Sequence, residues 1–212
     1  MTPVGGGPAV VQAGEADADA LSDLIAESFF DLAPSQWLIP DPAARRRVFP
    51  GYFLIYVEHA LAGGLVHTTA DRTAAALWLP AGALPPDGYR ERLAAVTGPA
   101  ASRFLAFDEA LGSHHPAGIP HQHLAILAVR PDRQGRGAGT ALMRAHHAAL
   151  DHVRTPAYLE ASSPRSRDLY LRHGYAPLQG APYRVPGGGP LMWPMWREPR
   201  PTAGPKCQRA GA

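Results

Sequence analysis

Apolar positions along this chain follow two rhythms, a helical repeat and short continuous runs, and their alternation predicts helices and strands in mixed order. Val10 and Val11 centre a short strand over 8–13. Leu21, Leu24, Ile25 and Ser28 or Phe29 then recur at helical spacing behind Asp17 or Asp19, either of which can cap a helix running to about residue 30. Pro34 reads as a break. Asp41-Pro42 opens a second helix, with aspartate as N-cap and proline in the first turn; it carries Val48, Phe49, Tyr52, Phe53, Ile55, Tyr56 and Val57, and Pro50-Gly51 should interrupt or kink it. Runs over 61–69 and 73–79, joined by Ala70-Asp71-Arg72, predict a hairpin-like pair of strands. From 80 to 120 the chain is rich in Pro, Gly and Ala, with helical patterns over 89–96 and 101–111.

The second half is organised around 124–143. Leu124 to Val129 is an apolar run of strand length, ended by Arg130-Pro131 because proline cannot continue a central ladder. Gln134-Gly135-Arg136-Gly137-Ala138-Gly139-Thr140 follows, where glycines at alternating positions permit positive φ and close backbone approach to a ligand. A helix over 141–153 would begin there with free N–H groups and the positive end of its dipole facing that ligand, which favours a phosphate. A strand over 156–161, a short helix over 166–173 closed by Gly174, a strand over 175–178 and a loop over 180–190 come next. The last strand, 191–196, contains Pro194, which implies an edge position or a bulge.

Composition narrows this picture. With 46% hydrophobic residues in 212, one domain with a buried core is expected over 1–198, after a flexible leader over 1–7 and before a disordered tail over 199–212. No apolar run approaches the roughly 18 residues of a membrane span, and the N-terminus lacks a signal-peptide pattern, so a cytoplasmic protein is expected. A net charge of +2 argues against a nucleic-acid partner, and the dense run Arg45 to Arg47 reads as a solvated helix face. Cys207 is the single cysteine, which supports neither a disulfide framework nor a cysteine-ligated metal. His114, His115, His121 and His123 cluster before the central strand, but no acidic or cysteine ligand stands at useful spacing, so solvated loop histidines and no metal are expected.

The glycine turn lacks the Gly-Lys-Ser/Thr of a P-loop and the Gly-x-Gly-x-x-Gly spacing of a dinucleotide fingerprint. Val129-Arg130-Pro131 followed by Gln134-x-x-Gly137-x-Gly139 and a helix instead resembles the coenzyme A motif of the GCN5-related N-acetyltransferases (GNAT). The order of elements is similar to that family over nearly the whole chain. Within the family it looks most like the puromycin N-acetyltransferase group, through its length, the aromatic second helix, Ala75-Ala76-Leu77-Trp78 before a proline, the long excursion before the central strand, and Leu159-Glu160-Ala161-Ser162 leading to Tyr170. The resemblance implies an α/β (α+β) fold with a mixed, mostly antiparallel sheet, splayed at the cofactor strand and flanked by helices.

It also implies acetyl transfer from acetyl-CoA to the primary amine of a small, antibiotic- or metabolite-like molecule, by a monomer or homodimer. Acetylation of a protein or peptide, or a catalytically silent acyl-CoA-binding domain, are the alternatives. Gln134, Gly135, Arg136, Gly137, Ala138, Gly139 and Thr140 would hold the pyrophosphate, with Arg133 adding positive potential. Leu127, Ala128 and Val129 would present the strand edge to the pantetheine arm, with an oxyanion donor near Leu127 or Ala128. Ser166 stands where many relatives carry an asparagine that orients the cofactor arm. A primary amine must lose a proton before attack; Glu160, its pKa raised by burial, is the first candidate base, with His121, His123 or water as the other choices. Tyr170 stands where relatives supply the proton to the departing thiolate. Phe29, Phe30, Trp37, Tyr52 and Tyr56 are expected to wall the acceptor site.

Overall fold

A computed structural model of the chain describes residues 7–201; the leader before them, the tail from 202 onward and Cys207 lie outside the described residues. β1 (Val10–Gln12) leads to α1 (Ala18–Phe29), which buries Leu21, Leu24 and Ile25. Pro34 does not break the chain but sits in the first turn of a six-residue helix, α2 (Ala33–Leu38), where its missing N–H has no partner to lose. α3 (Pro42–Gly63) starts as the spacing predicts, with Asp41 Oδ2 accepting the Ala44 N–H at 2.7 Å. It continues through Pro50 and also takes 61–63, so β2 (Leu65–Thr69) begins later than the apolar run suggests. Gly64 makes that turn because a Cβ there would lie 2.1 Å from the Trp78 carbonyl oxygen.

After β3 (Ala74–Pro80), the excursion folds as α4 (Tyr89–Thr97) and α5 (Ala101–His114). Then come β4 (Gln122–Val129), α6 (Ala138–His152), β5 (Ala157–Ala161), α7 (Pro164–Arg172), β6 (Ala176–Pro177), β7 (Tyr183–Arg184) and β8 (Leu191–Arg197). The strands form one sheet in the order β1-β2-β3-β4-β5-β8-β6, with β7 also on β8. Among the described residues every pairing is antiparallel except β4 with β5. On one face, Leu21, Ile25, Phe49, Phe53, Phe104 and Ile126 join α1, α3 and α5 to the sheet; on the other, Trp78, Leu124, Leu142, Met143 and Leu159 pack under α6. Each such side chain contributes roughly 1.5–3 kcal/mol by leaving water.

Two irregularities position the site. Leu77 opposes Ile126 while Trp78 opposes Leu124, so Ala125 is an extra residue in β4. This bulge resets the side-chain alternation, placing Leu124 and Leu127 on the same face. The second is the junction of β4 and β5, which pair only at Gln122 with Ala157 and His123 with Tyr158. Beyond that apex the two strands diverge, as the resemblance implies.

The last strand departs from expectation. β8 is interior, between β5 and β6, and Pro194 opposes Glu160 of β5. The Pro194 carbonyl accepts the Leu178 N–H at 2.9 Å, so the flank without a proline N–H is the gap between β6 and β7, and the β5 ladder loses nothing. Of the tail expected from Pro199, the first residues are held: Asp151 of α6 accepts the Arg200 backbone N–H at 2.8 Å and the Arg197 guanidinium at 2.7 Å.

Candidate active site

The glycine turn forms an anion cradle. Gly135 (φ 77) and Gly137 (φ 88) adopt the left-handed backbone that glycine permits, and Gly137 is the N-cap of α6. Ala141 is the first residue whose N–H bonds back, to the Gly137 carbonyl at 2.9 Å, so the N–H groups of Ala138, Gly139 and Thr140 are available to a ligand. Nothing lies within 4 Å of a Cβ built at Gly135 or Gly137, so these two glycines serve the backbone conformation and not close packing. Gly139 works differently: its Cβ would touch Leu127 and Val129 side chains at 3.6 Å, so this glycine seats α6 close against β4. The donor set fits the pyrophosphate of coenzyme A.

The strand edge beside it is also free. The Arg130 N–H bonds to the Thr73 carbonyl at 2.9 Å, and Ala75 opposes Ala128. Backbone groups alternate sides along a strand, so Ala128 faces β3 while Leu127 and Val129 point into the opening between β4 and β5. Gln134 Nε2 donates to the Val129 carbonyl at 3.2 Å from that side. Leu127 is therefore the N–H that can reach a carbonyl in the opening, and Ala128, 1% exposed, is not.

Cradle and opening belong to one cavity of about 540 Å³ that continues between α1, α2, α3 and α5. Phe29, Leu38, Phe49, Phe53, Phe107 and Leu111 make its far half apolar, and Tyr52 and Tyr56 also line it. Their hydroxyls run in a chain, Tyr52 to Tyr56 at 3.3 Å and Tyr56 to Asp108 at 3.2 Å, with Tyr89 donating to the same carboxylate at 2.5 Å. Burial pushes the Asp108 carboxyl up and the Tyr52 and Tyr56 phenols well up. Phe30 is one helical step from Phe29 and faces elsewhere, under the Arg45 and Arg46 guanidinium groups at 4.7 and 4.6 Å. The expected solvated face holds for Arg46 and Arg47, which are exposed, whereas Arg45, 4% exposed, is packed against Phe30. Trp37 likewise does not line the cavity but packs on Phe107 and Arg103.

At the apex where β4 and β5 part, His123 and Glu160 meet in the cavity wall. Glu160 Oε2 lies 3.0 Å from His123 Nε2, and Glu160 Oε1 accepts the Tyr158 hydroxyl at 2.7 Å. Burial, the largest single influence, pushes the Glu160 carboxyl up, but the charge and hydrogen bond of His123, the Tyr158 hydroxyl and the charge of His115 hold it below its ordinary value. The raised pKa expected from burial is therefore not what this site produces. His121 stands outside the cavity, 3% exposed, with Nδ1 2.7 Å from the Ile119 carbonyl and Nε2 3.0 Å from His115 Nε2. Burial and neighbouring His123 hold His115 down to about 4, and burial lowers His121. His115, His121 and His123 are packed, not solvated, whereas His114 is exposed at the end of α5; the acidic partner missing from their sequence neighbourhood arrives from β5, 37 residues after His123.

Tyr170 lines the same cavity, packs edge-on against Tyr175, and no described residue hydrogen-bonds its hydroxyl. Burial pushes its phenol up, which keeps the proton on it at neutral pH. Ser166 is in the wall, but its hydroxyl oxygen accepts the Ser163 N–H at 3.1 Å, which closes a capping box at the start of α7, and its proton goes to the Ser163 carbonyl at 3.0 Å. Arg136 is exposed beside the cradle and does not line the cavity. Arg165 and Arg172 do line it, with Leu169 between them on α7; their helical spacing, i, i+4, i+7, is the signal that sequence reading passed over.

Residues 101–177 match the family model described as an acetyltransferase (GNAT) domain. The chain is similar to a structure from Corynebacterium glutamicum described as histone acetyltransferase HPA2 and related acetyltransferase, at 27% identity and a TM-score of 0.68, covering 95% of this chain and 99% of that one. Arylalkylamine N-acetyltransferase 2 from Aedes aegypti is 13% identical with a TM-score of 0.62, over 91% of this chain and 99% of that one. Polyamine N-acetyltransferase from Drosophila melanogaster is 18% identical with a TM-score of 0.60, over 90% and 99%. The last two establish the fold, and the splayed mixed sheet flanked by helices is the GNAT fold.

Proposed function

We propose that this acetyl-CoA-dependent N-acetyltransferase, built on the GNAT fold, acts on the primary amine of a small molecule that carries an aromatic or otherwise apolar group. One observation carries the reading: a single cavity runs from the phosphate-facing N–H groups of α6, past the open edge of β4 and the His123–Glu160 pair, into a pocket walled by Phe29, Phe49, Phe53 and Phe107. Glu160 is the only acidic residue in that wall among the described residues, which does not suit a basic peptide. The mosquito and fly acetyltransferases are both named for small amines, which supports a small-molecule acceptor; the arylalkylamine of the mosquito enzyme and the likeness to the puromycin N-acetyltransferase group in the aromatic α3 support an apolar one.

When bound, acetyl-CoA supplies the acetyl group as a thioester. The N–H groups of Ala138, Gly139 and Thr140 hold phosphate at the positive end of α6. The Leu127 N–H, facing the opening, donates to oxygen where negative charge develops. A primary alkylamine has a pKa of about 10.4 and must be deprotonated before attack. A carboxylate oxygen only accepts, so His123 Nε2 carries the proton of its bond to Glu160, and in its neutral form His123 has a lone pair on Nδ1 to receive the amine's proton. Glu160 fixes that tautomer and stabilises the imidazolium that results. Tyr170 holds its proton in the same wall, available to the leaving thiolate.

The reading is tested by following thiol release from acetyl-CoA with paired amines of equal chain length, one set bearing aromatic rings and the other a second ammonium. Faster release with the aromatic set supports it; preference for the dicationic set overturns the apolar-acceptor assignment.

A further inference from the structure

Behind the His123–Glu160 pair stand side chains that acetyl transfer leaves without a task. One ligating atom each from His115, His123 and Glu160 lie within 4.8 Å of one another. His123 Nε2 and Glu160 Oε2 are already 3.0 Å apart, near the separation of about 3.3 Å that tetrahedral bonds of about 2.0–2.1 Å demand. The three residues come from the end of α5, from β4 and from β5, so the sheet fixes two of them and a helix terminus the third.

The outer partners such a site needs are also present. The Ile119 carbonyl only accepts, so His121 Nδ1, 2.7 Å from it, carries a proton and leaves a lone pair on His121 Nε2. His115 Nε2, 3.0 Å from that lone pair, is then the donor, and His115 Nδ1 keeps its own lone pair for another ligand. Across the site, the Tyr158 hydroxyl holds Glu160 Oε1 at 2.7 Å and leaves Oε2 turned to His123 Nε2, the contact that an ion would replace. Ligating imidazoles and carboxylates in metal sites are oriented by this kind of second partner. Two imidazoles and one carboxylate suit zinc, cobalt or nickel and not magnesium or calcium. His123 and Glu160 both line the cavity, so a fourth position would open towards solvent and substrate.

We propose that His115, His123 and Glu160 form a binding site for a divalent transition-metal ion, zinc in the first instance, and that its occupation shuts off acetyl transfer by engaging the pair that receives the amine's proton. Binding through Nε2 moves the proton of neutral His123 to Nδ1 by way of solvent, so the ligand stays a neutral imidazole and Nδ1 no longer has a lone pair for the amine's proton. The inhibitory half rests on the reading of that pair given above; the binding half does not.

The experiment uses untagged full-length protein, freed of metal by a chelator. Co2+ is followed by its visible absorption and Zn2+ by calorimetry, with acetyl transfer measured at each metal concentration. The expected result is one ion per chain, turnover lost in step with occupancy and restored by chelator, and no effect of Mg2+. His115→Phe should lose the ion and keep its turnover in the presence of Zn2+; its coenzyme A binding reports that it is folded, and His115→Gln repeats the test if it is not. His121→Phe, which removes only the orienting partner, should weaken metal binding roughly 10- to 100-fold. Absence of one-to-one binding, or binding unchanged in the His115 variants, overturns the site. Full turnover at saturating occupancy overturns the inhibitory claim. Absence of turnover in metal-free protein would count against the amine-transfer reading, while the Co2+ spectrum still decides the site.

Discussion

Removing one oxygen from Tyr170 separates a proton donor from a packing residue. In Tyr170→Phe the ring remains, 7% exposed and edge-on to Tyr175 at 5.9 Å, and only a hydroxyl with no hydrogen-bonding partner among the described residues disappears. No buried polar group loses its partner, so the usual penalty of roughly 1–3 kcal/mol for an orphaned group does not arise. The melting temperature should move by no more than about 2 °C, less than the shift that 1 kcal/mol produces in a domain of this size. A positioned general acid contributes about 10²–10⁴-fold, or about 2.7–5.4 kcal/mol of barrier. The variant should therefore lose that much kcat in a thiol-release assay, while calorimetry gives the coenzyme A Kd of the unaltered protein. A kcat within about threefold of the parent protein would remove Tyr170 from the chemistry.

Other consequences are open to measurement. Gly137→Ala must hold φ at 88, at a cost of roughly 1–2 kcal/mol, and should raise the coenzyme A Kd by roughly 5- to 30-fold by calorimetry, whereas Gly139→Ala, whose Cβ meets neighbours at an ordinary 3.6 Å, should bind nearly as tightly as the parent. Equal losses at both positions would contradict the division between cradle and packing. Phe29→Ala should raise the amine KM and Phe30→Ala should not, since Phe29 lines the cavity and Phe30 lies under Arg45 and Arg46; a KM effect at Phe30 alone would reverse the assignment. Burial, followed by the charge of His67, holds His146 down to about 4, and burial with Arg197 holds His147 down to about 3. Both groups are neutral in the fold, so their stabilisation is complete above the unfolded pKa of about 6.5 and is lost as pH falls towards the folded values. The loss for His146 is on the order of 3 kcal/mol, which urea midpoints between pH 7 and pH 4.5 should show and which His146→Phe should reduce; flat midpoints would contradict it.

Features written in neighbouring residues were legible in the sequence. The capped start of α3, the glycine turn and the end of β4 at Arg130-Pro131 each follow from local chemistry. Where a proline or glycine has two uses, sequence alone misplaces it: Pro34 starts α2, Pro50 sits inside α3, and Pro194 faces a gap in an interior strand. The site was legible by half. Gln134 to Thr140 lie together because they are consecutive, but His123 and Glu160 meet through a two-pair parallel junction that no periodicity reports. Which N–H faces the opening depends on ladder alternation, which separates Leu127 from Ala128. Phe30 and Trp37 were grouped with Phe29 by composition, and helix geometry divides them.

If one cavity brings acetyl-CoA to a small apolar amine, the most direct measurement is mass spectrometry of an arylalkylamine incubated with acetyl-CoA and the protein, with Tyr170→Phe in parallel. The amine should gain one acetyl group, in step with released thiol, at a rate about 10²–10⁴-fold lower in the variant. Tight coenzyme A binding without acetylated product from any amine in the panel would contradict this mechanism.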